Sequence, residues 1–101
     1  MRIEIRPADW QRDEDALAAI RRRVFVEEQA VPEALEWDGL DADAQHWLAL
    51  ADGAPIGTAR LLRNGHIGRM AVLAHGRRSG AGSALLRAAV EAARAAGLRE
   101  V

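Results

Sequence analysis

The 101-residue chain contains no cysteine, no lysine and no tyrosine, one phenylalanine and three prolines. Without cysteine there is no disulfide framework, thiolate metal site or thiol nucleophile. Without lysine there is no Schiff-base amine and no phosphate-contacting P-loop lysine, and all 14 basic residues are arginine. No apolar run approaches the roughly 20 residues that cross a bilayer. The opening MRIEIRPADW lacks a signal-peptide core, so cytoplasm is the expected compartment and no membrane partner is expected. Alanine is abundant instead, at 22 residues, within an apolar content of 50% that argues against disorder. The length allows one small domain.

A net charge of -1 hides an asymmetry. Residues 1–50 hold 6 arginines and 12 acidic residues, whereas residues 51–101 hold 8 arginines and 3 acidic residues. Such a division suits an anionic ligand on one side and a cationic partner on the other. The Arg21-Arg22-Arg23 run has no interleaved aromatic platform and lies in the acidic half, so no nucleic-acid partner is expected.

Alternation over residues 3–6, ahead of Pro7, predicts a short strand. A helix follows, capped by Asp13, with Leu17, Ile20, Val24 and Phe25 on its apolar stripe and the three arginines largely outside it. The acidic stretch Glu27–Ala44 reads as a functional loop with one short helix, in which Val31, Leu35, Trp37 and Leu40 seek burial. Asp52-Gly53 and Asn64-Gly65 are turn signals joining three strands into an antiparallel meander. Leu85, Leu86, Ala89, Val90 and Ala93 then trace a helix that stops at Gly97, and LREV looks like the start of another strand.

The most informative segment is residues 69–86, a strand, a turn with glycines at 76, 80 and 82, and an apolar helix. Helix-initial amides lack intrahelical acceptors, and glycine lets a ligand approach them. Such a loop, with Arg77 and Arg78 at its rim, is suited to a diphosphate. It is not a Rossmann fingerprint, because Leu85 stands where the third glycine belongs, nor a Walker loop, because Ala81 stands at its second glycine.

Arg77-Arg78-Ser79-Gly80-Ala81-Gly82 resembles the Arg/Gln-x-x-Gly-x-Gly/Ala acyl-CoA signature of the GNAT superfamily of N-acetyltransferases. VFVEEQ at 24–29, Asp38-Gly39, Asp41, His46, GTARLL at 57–62 and IGRMAV at 67–72 are similar to its small ElaA-like branch. The resemblance implies an α/β chain with the acyl-CoA N-acyltransferase (GNAT) fold, an α+β mixed sheet with the three-stranded meander leading into the pyrophosphate loop. It implies that residues 1–101 form the N-terminal two-thirds of a single domain, C-terminally truncated. A homo-oligomer or a complementing C-terminal segment is then expected to cover the strand edge.

The implied activity is transfer of the acetyl group of acetyl-CoA to a small-molecule or peptide amine, by direct attack in a ternary complex. The alternative is a non-catalytic CoA-binding or structural module, inactive without the C-terminal elements. By the resemblance, Val72 and Leu73 hold the pantetheine arm and polarise the thioester. The amides of Arg77, Arg78, Ser79, Gly80, Ala81 and Gly82 take the pyrophosphate, and Ser83 caps the helix or touches phosphate. Proton acceptors for the amine are Glu28, then Glu27, with Asp41 and His46 also candidates. His66 reads as a turn residue, His75 as a solvated neighbour of the cofactor loop, and Trp37 and Trp47 as anchors. No metal is expected, since the three histidines show no ligand spacing. The acidic loop predicts a cationic acceptor.

Overall fold

The computed structural model of the chain describes residues 2–97. Strand β1 (Ile3–Ala8) leads to helix α1 (Trp10–Arg21), which continues as a π-helical stretch, Arg22–Glu28. A short helix α2 (Glu33–Glu36) and a 3-10 turn (Asp41–Asp43) precede strands β2 (Gln45–Ala51), β3 (Ala54–Leu61) and β4 (Ile67–Val72). A second 3-10 turn, Ala74–Gly76, then leads to helix α3 (Ala81–Ala95). Among the described residues, no helix is long and apolar enough to cross a membrane.

The sheet has four strands in the order β1-β2-β3-β4, and every neighbouring pair is antiparallel. This corrects the expected three-stranded meander and, among the described residues, the expected mixed sheet. β1 extends through Pro7 and pairs with β2 from Ile3↔Ala51 to Ala8↔His46. Pro7 is tolerated because β1 is an edge, where a missing amide donor costs little. The strand expected from Leu98 lies outside the described residues.

Alternation along β2 divides the core. Trp47, Ala49 and Ala51 face α3, together with Ala59 and Leu61 of β3, and meet Ala81, Leu85, Ala89 and Ala93. Leu48 and Ala71 face the other way, against Leu17, Ile20 and Val24. Small residues bring α3 close to the sheet. A Cβ at Gly57 would lie 3.0 Å from Leu85 Cδ1 and 3.1 Å from the Ala71 carbonyl. The i, i+4 stripe of α3 excludes Leu86, which is exposed, and Gly97 ends the helix in a left-handed conformation.

The cap of α1 is Asp9, not Asp13: its side chain accepts from the Gln11 and Arg12 amides at 2.8 and 3.2 Å. Asp13 lies one turn on and instead accepts from Arg6 of β1 and from the Asp9 amide. Those bonds, the one from Arg6 foremost, hold its carboxyl well below the usual carboxylate range. Thus β1 and α1 are joined by charge as well as by packing. Arg21, read from sequence as off the apolar stripe, is fully buried. Leu35 and Leu40, expected to be covered, are exposed.

Candidate functional site: the loop between strand β4 and helix α3

Where the chain leaves the sheet, the Leu73 amide donates to the Ile56 carbonyl at 2.8 Å. The 3-10 turn follows, with the Gly76 amide on Leu73 O and the Arg77 amide on Ala74 O. Gly76 packs so tightly that an added Cβ would sit 2.7 Å from Ile56 Cδ1. Ser79 Oγ donates to the Gly76 carbonyl at 2.5 Å and accepts from the Ala81 amide at 3.3 Å. Arg78 and Gly80 both adopt positive φ, +65° and +90°. These turns bring the chain into α3, whose first bond back to Gly80 O comes from Ala84.

The expected diphosphate donors therefore divide into two sets. The Arg77 and Ala81 amides are used within the loop. Among the described residues, no protein acceptor takes the amides of Arg78, Ser79, Gly80, Gly82 or Ser83. A Cβ at Gly80 would meet nothing within 4 Å, so the loop is open at that residue. Backbone donors at the positive end of a 15-residue helix fit a phosphate group.

Arg78 has a side chain in a conformation that suits glycine. A non-glycine residue there costs about 1 kcal/mol or more, so Arg78→Gly is expected to raise stability by about 1 kcal/mol. Urea denaturation checks this; a lower midpoint would show that the Arg78 side chain makes a stabilising contact exceeding the strain.

The Arg77 side chain turns back to the sheet. Its Nε donates to the Val72 carbonyl at 2.9 Å, and its Nη2 donates to Glu28 at 2.7 Å. The π-helical stretch brings Glu28 there. Its wider turn is seen in the Gln29 amide bonding to Val24 O, five residues back. Glu27, one residue earlier, pairs with exposed Arg23 at 3.2 Å. Ile20, Arg23, Glu28, Leu73, Ala74 and His75 line a cleft of about 520 Å³ between α1 and the loop. A larger hollow of about 760 Å³, lined by Trp10, His46 and Glu91 among others, shares none of the loop's residues.

The acidic segment is spent on the protein itself. Arg21 Nε donates to Glu36 at 2.6 Å, and its Nη1 donates to Asp41 at 2.7 Å. Its guanidinium also lies 5.0 Å from the Trp37 ring centre. Arg60 of β3 makes paired bonds to Asp38 at 3.0 and 2.9 Å and a third bond to Asp41. Arg69, at a positive φ in a bulge of β4, reaches Asp38 and the Glu36 carbonyl. Glu33 pairs with Arg22, and Asp43 lies 3.9 Å from Arg63. The charge asymmetry of the two halves is thus partly consumed internally, because Arg60, Arg63, Arg69 and Arg77 meet acids of the first half. This removes the electrostatic basis for expecting a cationic acceptor.

Bonding from Arg60 holds the Asp38 carboxyl well below the usual range, against the opposing effect of burial. For Arg60 burial pulls the pKa down, but the bonds to Asp38 and Asp41 outweigh it and raise it.

His46 belongs to this network. Its Nε2 lies 2.8 Å from the Asp41 carbonyl and its ring stacks on Trp10. It pairs with Arg60 in the sheet register, away from the Gly57↔Val72 end that feeds the β4–α3 loop. The structure therefore brings Glu28, Arg77, Val72 and Leu73 together and leaves His46 and Asp41 elsewhere.

Burial, above all, pushes His46 below its ordinary value. The unfolded chain then takes up that proton first as pH falls. The stability that neutral His46 provides is complete above about pH 6.5 and is lost below it, at up to about 1.4 kcal/mol per pH unit. Stability measured between pH 7.5 and 5.5 should fall with that sign, and His46→Gln should flatten the slope. An equal slope in the variant would locate the titration at another group.

Among the described residues, no group of three or more His, Asp or Glu side chains is arranged to hold a metal. Sequence reasoning missed Arg21, Arg60 and Arg69 as the residues that fasten the acidic segment. The available signal was a run of acids in 33–43 facing Arg60 and Arg69, which alternation places on one face of β3 and β4.

The sequence pattern of the Acetyltransferase (GNAT) family matches residues 8–101. Over 54 residues the chain is 48% identical to the Bacillus subtilis (strain 168) protein BSU40680, a match covering 50% of this chain and 37% of that protein. The chain thus spans just over a third of that relative's length. An acyl-CoA N-acyltransferase from Pseudomonas aeruginosa superposes with a TM-score of 0.79 at 31% identity, over 91% of this chain and 70% of that one. Escherichia coli ElaA superposes with a TM-score of 0.78 at 27% identity, over 90% of this chain and 69% of its own. With a family match over most of its length and a loop whose open amides stand where the acyl-CoA signature falls, this chain belongs to the Acetyltransferase (GNAT) family.

Proposed function

We propose that the chain is the cofactor-binding part, the N-terminal two-thirds, of an N-acetyltransferase domain that transfers the acetyl group of acetyl-CoA to an amine by direct attack in a ternary complex. The observation that carries this reading is the set of amides at Arg78, Ser79, Gly80, Gly82 and Ser83 without protein acceptors, at the head of α3. They receive the diphosphate through backbone alone, which requires no side-chain ordering. Acetyl-CoA supplies the activated acyl group, and the chain's residues position it and take up a proton. Leu73 contributes its side chain to the cleft wall, because its amide already donates to Ile56. Val72 is then the residue of that pair whose backbone meets the thioester arm.

The amine must be neutral to attack, and Glu28 in the cleft is the proton acceptor. Glu27 lies next to it, on the exposed pair with Arg23. The similarity to ElaA supports placing the chain in that branch. A second copy or a downstream segment completes the site along the edge that β4 presents among the described residues.

The test is release of free CoA from acetyl-CoA in the presence of a panel of primary and secondary amines, read by thiol reaction. The 101 residues contain no cysteine, so thiol detected with this chain comes from the cofactor, and a blank without acetyl-CoA gives the background of the extended form. Amine-dependent release, from this chain or from one extended by its native downstream sequence, is the expected result. CoA binding without release in both forms would favour the non-catalytic module instead.

A further inference from the structure

We infer that Arg77, tied to Glu28, is a latch over the carbonyl end of β4 that an acyl-CoA must open, freeing the Glu28 carboxylate as it does so. The inference rests on the acyl-CoA reading above and adds to it an order of events. The Arg77 guanidinium is engaged twice, at the Val72 carbonyl through Nε (2.9 Å) and at Glu28 through Nη2 (2.7 Å). Its two partners come from different elements, the last residue of β4 and the end of the π-helical stretch. Glu28 lines the same cleft as Leu73 and His75.

A carbonyl at the end of an edge strand is the group an extended, amide-bearing ligand uses when it pairs with that strand. The pantetheine arm is such a ligand, and the Val72 carbonyl is already occupied by a donor from the protein. Binding the arm therefore breaks the Arg77–Val72 bond. The guanidinium is displaced with that bond, since a partly exposed pair with Glu28 is too weak to hold it in place alone. Glu28 is left in the cleft without its cation, in the state a proton acceptor requires. A closed latch also keeps that carboxylate from the amine until the cofactor is in place.

Calorimetric titration of the whole chain tests this with two ligands, CoA and adenosine 3′-phosphate 5′-diphosphate, which keeps the phosphates but lacks the arm. Wild type is compared with Glu28→Gln and Arg77→Met. Both side chains are partly exposed, at 33% and 44%, so neither change empties the core, and far-UV circular dichroism verifies the fold. Each substitution alters the local charge, which affects both ligands and cancels in the ratio of their affinities. The latch opposes only the ligand with the arm. The ratio of CoA affinity to that of the shorter ligand is expected to rise about three- to tenfold in both variants, the scale of one exposed ion pair and one hydrogen bond. An unchanged or lower ratio in either variant, with both ligands still bound, overturns the latch and leaves the acyl-CoA reading standing. Failure of every form to bind either ligand overturns both.

Discussion

Replacing Arg21 by methionine is expected to cost the domain about 3–5 kcal/mol, the scale for stranding the partner of a buried ion pair. Arg21 is fully buried, and its partners Glu36 and Asp41 are 2% and 5% exposed. Methionine fills much of the volume but donates nothing. Glu36 would retain Arg69, whose Nε lies 3.3 Å away, and Asp41 would retain Arg60. Both touch the same oxygens that Arg21 does, but at 3.1 and 3.3 Å rather than 2.7 and 2.6 Å, so each carboxylate loses its nearest donor and the Glu36 carbonyl loses Arg21 Nη2. A domain of this length has only about 5–15 kcal/mol of stability in total. Urea denaturation should therefore show a much lower midpoint, or a chain unfolded without denaturant. The double variant Arg21→Met with Glu36→Met removes an acid together with its cation and should recover part of the loss, because apolar replacement of a whole buried pair is often neutral. A single variant as stable as wild type would show that packing, not charge, fastens residues 33–43 to the sheet.

The largest effect on binding is expected from Gly80→Glu. Gly80 has φ +90° and open space where its Cβ would project, so the fold is expected to survive with a strain of about 1 kcal/mol or more. The carboxylate enters the space before the open amides and repels the diphosphate they receive. CoA affinity should fall at least about a hundredfold, roughly 2.7 kcal/mol, while Gly80→Ala, which carries the strain without the charge, loses far less. Calorimetry on the three forms decides. Equal affinity of wild type and the glutamate form would remove the diphosphate from this loop.

Legibility in the sequence followed the range of each interaction. Asp52-Gly53 announced its hairpin because both residues need positive φ, and both have it. The α3 stripe and its stop at Gly97 were equally local. The pairing of β1 with β2 was not, since nothing in IEIRPA names a partner about forty residues away, and α1 intervenes. The π-helical stretch was hidden for a related reason. Val24 and Phe25 fit an α-helical stripe, and only tertiary contacts select the wider turn that carries Glu28 to Arg77. Arg21 was misplaced because a stripe reading treats guanidinium as solvent-facing. It misses the case where carboxylates from a distant loop make burial favourable. In the candidate site, the glycine pattern was readable as an anion loop, whereas which amides the loop keeps for itself depended on Ser79 and Ile56.

The all-arginine network has a consequence on the alkaline side of the pH scale. Cysteine, tyrosine and lysine are the side chains that ordinarily titrate between about pH 8 and 11, and this chain has none of them. A buried lysine at position 21 or 60 would lose its proton within that range, or below it, and abandon its carboxylates. A guanidinium does not. From about pH 9 to 11 no side chain gains or releases a proton in either the folded or the unfolded chain. The free energy of unfolding should accordingly be flat there, giving the protein a long alkaline plateau beside an acid side that His46, Asp38 and Asp13 make steep.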